Sequence, residues 1–227
     1  MFIDTMTAGG ISPETARLCE AYWQLVKKKN EVMNLTAVTD DGESAKRHFL
    51  DSLELLKLAE FSGARVIDVG TGAGFPGVPL KLAAPDMSVC LLDSLGKRVD
   101  FLREACGSLG VEGEFLHARA EEQAMKPGYR DGFDFAVSRA VARLNLLSEL
   151  CLPFVKPGGA FLAMKAGGSE EEINEAKTAI RTLGGKIERV YEYTQDGVPR
   201  CVVVIRKNEP TPKGYPRAFA KIKKNPL

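Results

Sequence analysis

Apolar residues follow two rhythms along this chain. Over Ser12–Lys29 they recur at helical spacing, with Leu18, Tyr22, Leu25 and Val26 on one face. Ser12 can cap that helix, Pro13 suits its first position, Glu14 favours the positive end of its dipole, and Lys27, Lys28 and Lys29 close it. A second helix is predicted from Glu43 to Leu58, with Phe49, Leu50, Leu53 and Leu56 inward and Gly63 past its end. From residue 65 onward, short apolar runs alternate with helical patterns. Strands are predicted at Arg65–Val69, Ser88–Asp93, Glu114–Ala118, Phe133–Ser138, Ala160–Lys165, Lys186–Tyr193 and Pro199–Arg206. Helices are predicted at Pro76–Ala84, Leu95–Leu109 with Ser94 as cap, Ala142–Phe154 and Ser169–Leu183.

Strands that are apolar on both faces and alternate with helices imply a mostly parallel sheet covered on each side. The last two strands are joined by Gln195-Asp196-Gly197, short enough for a hairpin, which makes one of them antiparallel. The chain then divides into an N-terminal helical extension packed on the core (1–62), a Rossmann-like core (63–207) and a C-terminal tail (208–227).

Charge changes this picture. The 227 residues carry a net charge of only +1. Residues 206–227, however, hold seven basic side chains (Arg206, Lys207, Lys213, Arg217, Lys221, Lys223, Lys224) and one acid, Glu209. That is a net +6, leaving −5 on the rest. A basic tail on an acidic body fits a polyanion partner, and equally fits a solvated end that aids solubility. The five cysteines are odd in number, widely spaced and without a CxxC pair, so they read as buried small residues rather than disulfides or a metal site. No apolar run reaches membrane-spanning length and the N-terminus lacks a secretory pattern, so a cytoplasmic, monomeric protein without metal is expected.

The sharpest motif is Asp68-Val69-Gly70-Thr71-Gly72-Ala73-Gly74-Phe75-Pro76-Gly77, a strand running into a glycine loop ahead of a helix. Glycines let the backbone turn tightly and let a ligand come close. Roughly 20 residues later the next strand ends in Asp93, placed to accept hydrogen bonds from a cofactor ribose. Gly72-x-Gly74-x-x-Gly77 also fits a dinucleotide fingerprint, which alone is weak. Asp68 ahead of the loop, Pro157-Gly158-Gly159 ahead of a later strand, and the terminal hairpin favour S-adenosylmethionine and a class I methyltransferase fold with a seven-stranded sheet.

The acceptor narrows by absence. Val137-Ser138-Arg139-Ala140 stands where amino-group methylases carry an Asn/Asp-Pro-Pro-aromatic turn, and Cys151-Leu152-Pro153 lies in a helical pattern rather than a nucleophile loop. A ring nitrogen with a free lone pair needs neither a nucleophile nor a strong base. The chain resembles the bacterial 16S ribosomal RNA guanine-N7 methyltransferase family, RsmG. The resemblance lies in Asn34-Leu35-Thr36, Arg47–Ser52, Asp68–Gly77, Leu92–Arg98, Arg119–Glu122, Ser138-Arg139-Ala140, Met164-Lys165 and Tyr215-Pro216-Arg217. The tail departs from the family's Gly-x-Pro with Ala220-Lys221-Ile222.

The resemblance implies methyl transfer from S-adenosylmethionine to a guanine of 16S ribosomal RNA or the small ribosomal subunit. It places Gly70 and Phe75 at the cofactor, alongside Gly72 and Gly74 of the same loop. It makes Asp93 the ribose acid, has Ala120 and Glu121 line the adenine, and sets Arg139 near the methionine end and the incoming base. Lys97 and Arg98 are RNA candidates that read equally as a solvated helix face, and Lys165 reads equally as a strand end. Arg217, Lys221, Lys223 and Lys224 are the tail's RNA candidates. His48 reads first as a core histidine bonded to a backbone carbonyl, and Trp23 as core packing. A non-catalytic RNA binder could have lost the loop glycines or Asp93, which are present; a small-molecule methyltransferase would not need the basic tail.

Overall fold

Two helices open the chain, α1 (Phe2–Ala8) and α2 (Pro13–Met33), in the computed structural model, which describes residues 1–139 and 142–227. Helix α1 has no counterpart in the sequence reading; it buries only Phe2 and Met6, too few positions to show a period. Helix α2 starts where predicted, with Ser12 Oγ accepting from the Thr15 N–H at 3.1 Å. It continues past Lys29 for one more turn, to a left-handed Asn34. Tyr22, Trp23 and Val26 are fully buried, while Leu18 faces solvent.

The predicted helix 43–58 is four short pieces: α3 (Asp41–Ser44), a π-helical turn (Ala45–Leu50), α4 (Asp51–Leu53) and a 3-10 turn (Glu54–Lys57). Each piece advances by a different angle per residue, so one helical phase cannot run through. Leu55 is therefore buried where Leu56 was expected inward.

The sheet follows. Its strands are β1 (Arg65–Val69), β2 (Ser88–Asp93), β3 (Glu114–His117), β4 (Phe133–Arg139), β5 (Val155–Ala166), β6 (Gly185–Gln195) and β7 (Val198–Lys207), in the order β3-β2-β1-β4-β5-β7-β6. Strands β1 to β5 pair in parallel, and β7 runs antiparallel to both neighbours. Asp196 and Gly197 both have positive φ, as a two-residue hairpin turn requires. The helices are α5 (Gly77–Ala83), α6 (Gly96–Ser108), α7 (Ala120–Gln123), α8 (Leu144–Cys151), α9 (Glu170–Thr182) and α10 (Phe219–Lys224). Ser94 does not cap α6; the Asp93 carboxylate takes the Leu95 N–H at 2.9 Å instead. Helix α8 starts at Leu144 and gives way at Leu152–Phe154 to a 3-10 turn containing Pro153. Pro157-Gly158-Gly159 lies inside β5 as a bulge rather than ahead of it.

Strand residues alternate between two buried layers. Val66, Val89, Leu91, Leu162 and Val204 meet α1, α2, the broken helix, α5 and α6. Ile67, Cys90, Phe161, Val203 and Ile205 meet α8, α9 and Ile222 of α10. The period of two with both faces apolar is what the parallel-sheet reading required.

Candidate active site

The C-terminal ends of β1, β2, β4 and β5 lie along one edge of the sheet. In doubly wound folds this is the edge that binds ligands. The glycine loop leaves β1 there, with φ of 73°, 59° and 88° at Gly70, Gly72 and Gly74. The loop glycines serve different ends. A Cβ on Gly74 would sit 2.4 Å from the Tyr22 hydroxyl oxygen, and one on Gly77 would sit 2.5 Å from a Leu91 methyl. Those two are filled from the protein side. A Cβ on Gly72 would meet nothing within 4 Å, so this left-handed position is a cradle open to a ligand.

Two carboxylates brace the loop. Asp68 is fully buried; its Oδ2 accepts from the Thr71 hydroxyl at 2.7 Å and the Gly77 N–H at 2.8 Å, while Oδ1 has no hydrogen-bond partner. Burial pushes its pKa up to about 6, against the pull of those two donors and of Arg139. Asp93 accepts from Gly72 N–H at 3.0 Å and from Leu95 N–H, with Arg98 at 3.5 Å. Oδ2 takes both Gly72 and Arg98, while Oδ1 takes only Leu95 and keeps a second lone pair, so Asp93 can still accept from a ribose hydroxyl.

Two cavities open at this edge of the sheet. The smaller, about 140 Å³, is lined by Gly70, Ala120, Glu121, Arg119 and Ser94, with Phe219 reaching in from α10. Three of the expected cofactor residues, Gly70, Ala120 and Glu121, thus share one wall. The larger cavity, about 390 Å³, is lined by Arg139, Lys165, Arg143, Arg200, Asp51 and Tyr193 among others. Arg139 therefore belongs to this second space. Its guanidinium donates to Asp51 at 3.1 Å and to the carbonyls of Arg47 and His48 at 3.2 and 3.3 Å, and lies 5.1 Å over the Phe75 ring. Burial lowers its pKa and Asp51 opposes that; it stays a cation. Phe75 is buried beneath it, 4.9 Å from the His48 ring and 5.1 Å from the Phe49 ring.

His48 Nε2 meets the Thr36 hydroxyl at 2.8 Å, a side-chain partner beside the backbone one expected of it. Burial first, then the Arg139 cation, pushes its pKa down to about 4, so it is neutral at pH 7. Trp23 is fully buried and donates to Asp41 at 2.7 Å, in keeping with a packing role.

The RNA candidates fall into three settings. Lys97, Lys221, Lys223 and Lys224 are exposed. Arg98 leans on Asp93, and Lys165 pairs with Glu172 at 2.6 Å while donating to the Ala142 carbonyl. Arg217 is committed to the buried Glu149 through three side-chain N–H contacts of 2.6 to 3.1 Å. Ala140, part of the acceptor-turn reading, lies outside the described residues.

Asp51, Tyr193 and Arg200 escaped the sequence reading. Tyr193 and Arg200 face each other across the terminal hairpin, and the Tyr193 hydroxyl donates to Asp51 Oδ1 at 2.7 Å. Asp51 stands in the Arg47–Ser52 stretch that carried the resemblance. Nothing in the hairpin's strand pattern could have singled out the other two.

A family profile described as rRNA small subunit methyltransferase G matches residues 15–199. Ribosomal RNA small subunit methyltransferase G of Lachnoclostridium phytofermentans is 48% identical over 212 residues, covering 92% of this chain and 88% of that protein. The protein of the same name from Acetivibrio thermocellus is 48% identical over 210 residues, 91% of this chain and 86% of its own. Among solved structures, TrmN from Thermus thermophilus superposes with a TM-score of 0.56 at 22% identity, over 72% of this chain and 53% of that one. A SAM-dependent methyltransferase from Aquifex aeolicus does so at 0.54 and 23%, over 71% and 92%. Those two likenesses show the fold. The extent and identity of the sequence matches show that this chain belongs to the rRNA small subunit methyltransferase G family.

Proposed function

We propose that the protein transfers a methyl group from S-adenosylmethionine to N7 of a guanine in 16S ribosomal RNA, acting in the cytoplasm on the RNA or the small subunit. The observation that carries this reading is a pair of cavities at the C-terminal edge of the sheet: one is lined by Gly70, Ala120 and Glu121, and the other by Arg139, Arg143, Lys165 and Arg200.

The open cradle at Gly72, the remaining acceptor capacity of Asp93 and the small cavity fit the cofactor. Gly70, Ala120 and Glu121 would hold its adenosine, with Asp93 at the ribose. When bound, the cofactor supplies an electrophilic methyl group on a sulfonium. The residues of this chain bind and orient. RNA phosphates reach the cations of the larger cavity by displacing the carboxylates that Arg143 and Lys165 hold, Glu175 and Glu172, and the base is held for in-line approach, where alignment alone supplies much of the rate. Asp51 keeps Arg139 in place and is itself fixed by Tyr193.

No proton leaves guanine before transfer to N7, so the site needs no base. His48 is neutral and Tyr193 stays protonated, its pKa raised by burial. The cysteines offer no nucleophile: all five are buried, and burial pushes Cys19 and Cys106 up to about 12.

Methylation at N7 fixes a positive charge on the purine and makes the strand cleavable by mild reduction followed by aniline. Small-subunit RNA from cells with the protein should be cut at one guanine that stays intact in RNA from cells without it. A methyl mark that depends on the protein but resists cleavage would place the methyl on another atom.

A further inference from the structure

The smaller cavity has a side that the sheet does not supply. Most of its lining comes from β1, β2, the β3–α7 connection and Leu150 of α8, but Phe219 comes from α10 near the C-terminus. The segment leading to Phe219 is tied down at several points. Arg130 donates to the carbonyls of Thr211 at 2.7 Å and Tyr215 at 2.8 Å. Arg217 sets its guanidinium on Glu149 at 2.6 and 2.8 Å, and its backbone N–H donates to the same carboxylate at 2.8 Å. Glu149 is fully buried, so this is a desolvated, multiply bonded strap rather than a surface pair. Ile222, also fully buried, anchors α10 in the core beneath. The Arg119 guanidinium lies 4.4 Å over the Phe219 ring and reaches Glu121 at 3.2 Å.

We propose that the C-terminal segment is part of the cofactor site, with Phe219 covering the adenine of S-adenosylmethionine and the Arg217–Glu149 strap holding it there. This rests on the assignment of the smaller cavity to the adenosine. Phe219 is the one aromatic ring among the lining residues, beside the aliphatic Val69, Leu92 and Leu150 and the polar Ser94, Arg119 and Glu121, and it provides a stacking surface for a flat heterocycle. Phe219 and Ile222 are three residues apart and share the inward face of α10. Lys221, Lys223 and Lys224 stay exposed. One short helix thus closes the cofactor pocket with one face and offers three cations to a polyanion with the other.

The test is calorimetry of S-adenosylhomocysteine binding to the full-length protein. Phe219→Ala should weaken binding about tenfold, equivalent to about 1.4 kcal/mol. Phe219→Trp should restore it to within about twofold, and the new indole should be quenched when ligand binds; the single native tryptophan, Trp23, is buried in the opposite core layer and supplies a constant background. If the unliganded Phe219→Ala protein melts early, Phe219→Leu decides, because it keeps an apolar side chain and removes only the stacking surface. Wild-type-like affinity in the Ala or Leu variant, or an indole insensitive to ligand, would overturn the role of Phe219 while leaving the cofactor assignment intact. A wild-type protein that binds no S-adenosylhomocysteine would instead remove the assignment on which the inference stands.

Discussion

The Tyr22 hydroxyl donates to the Ala73 carbonyl at 2.9 Å, between two buried residues. The N-terminal helix α2 thereby holds the backbone of the glycine loop from the side opposite the ligand. Burial raises the Tyr22 pKa well above its ordinary value, so the hydroxyl stays a donor. Removing it with Tyr22→Phe strands a buried carbonyl, a loss of about 1–3 kcal/mol. Urea denaturation should show that loss, and calorimetry should show weaker S-adenosylhomocysteine binding from a loosened loop.

Neighbouring glycines should fail in different ways. Gly72→Asp adds a side chain into open space at a left-handed position that Asp tolerates better than most residues. It should fold, yet show no measurable S-adenosylhomocysteine binding by calorimetry. Gly74→Ala drives a methyl into Tyr22 and Val78 at a φ of 88°. Overpacking and strain together should cost about 2–4 kcal/mol in thermal or chemical unfolding. A Gly72→Asp protein that binds ligand normally would contradict the cradle.

His48 sets a pH window. Its pKa falls from 6.5 to about 4 on folding, so the unfolded chain takes up a proton between those values and the folded one does not. Its contribution to stability is complete above pH 6.5 and is lost as pH falls toward 4, about 3 kcal/mol in all. Asp68 acts oppositely: raised to about 6, it favours the folded state in acid and loses that contribution as pH rises from 3.8 to 6. The two slopes offset each other. His48→Gln should therefore unmask stability that declines with rising pH over this range. Denaturant titrations at several pH values would check it, and a profile parallel to the wild type would contradict a buried neutral histidine.

The exposed lysines of α10 predict a salt effect. Replacing Lys221, Lys223 and Lys224 by Gln should reduce the slope of log affinity for RNA against log salt by about 2, from three phosphates at roughly 0.7 each on a single strand. An unchanged slope would mean that this face of the tail does not meet RNA.

Legibility followed sequence distance. Strands β1 and β2 were bounded to the residue because their apolar runs are continuous and end in Gly70 and Asp93. The hairpin was legible from Asp196-Gly197, whose backbone requirement is local. Errors came where local signals compete or are short. The lysines at 27–29 resembled a helix end that came one turn later, and Ser94 resembled a cap although Leu95 stands at that position without a side-chain cap bond. The short α7 and α10 carry too few residues for a period. The glycine loop could be read because one stretch of chain makes it. Asp51 and the hairpin pair Tyr193 and Arg200 come from two distant stretches, and only sheet register and packing bring them to one cavity.

Strand β7 lies between β5 and β6 although it is made after both. A nascent chain emerging from its ribosome therefore presents two unsatisfied edges, on β5 and on β6, until residues 198–207 follow. The antiparallel strand closes the gap by pairing with both neighbours at once. Sheet completion thus waits for residues 198–207, and a chain that stalls before Val198 leaves exposed strand edges open to pairing with other chains.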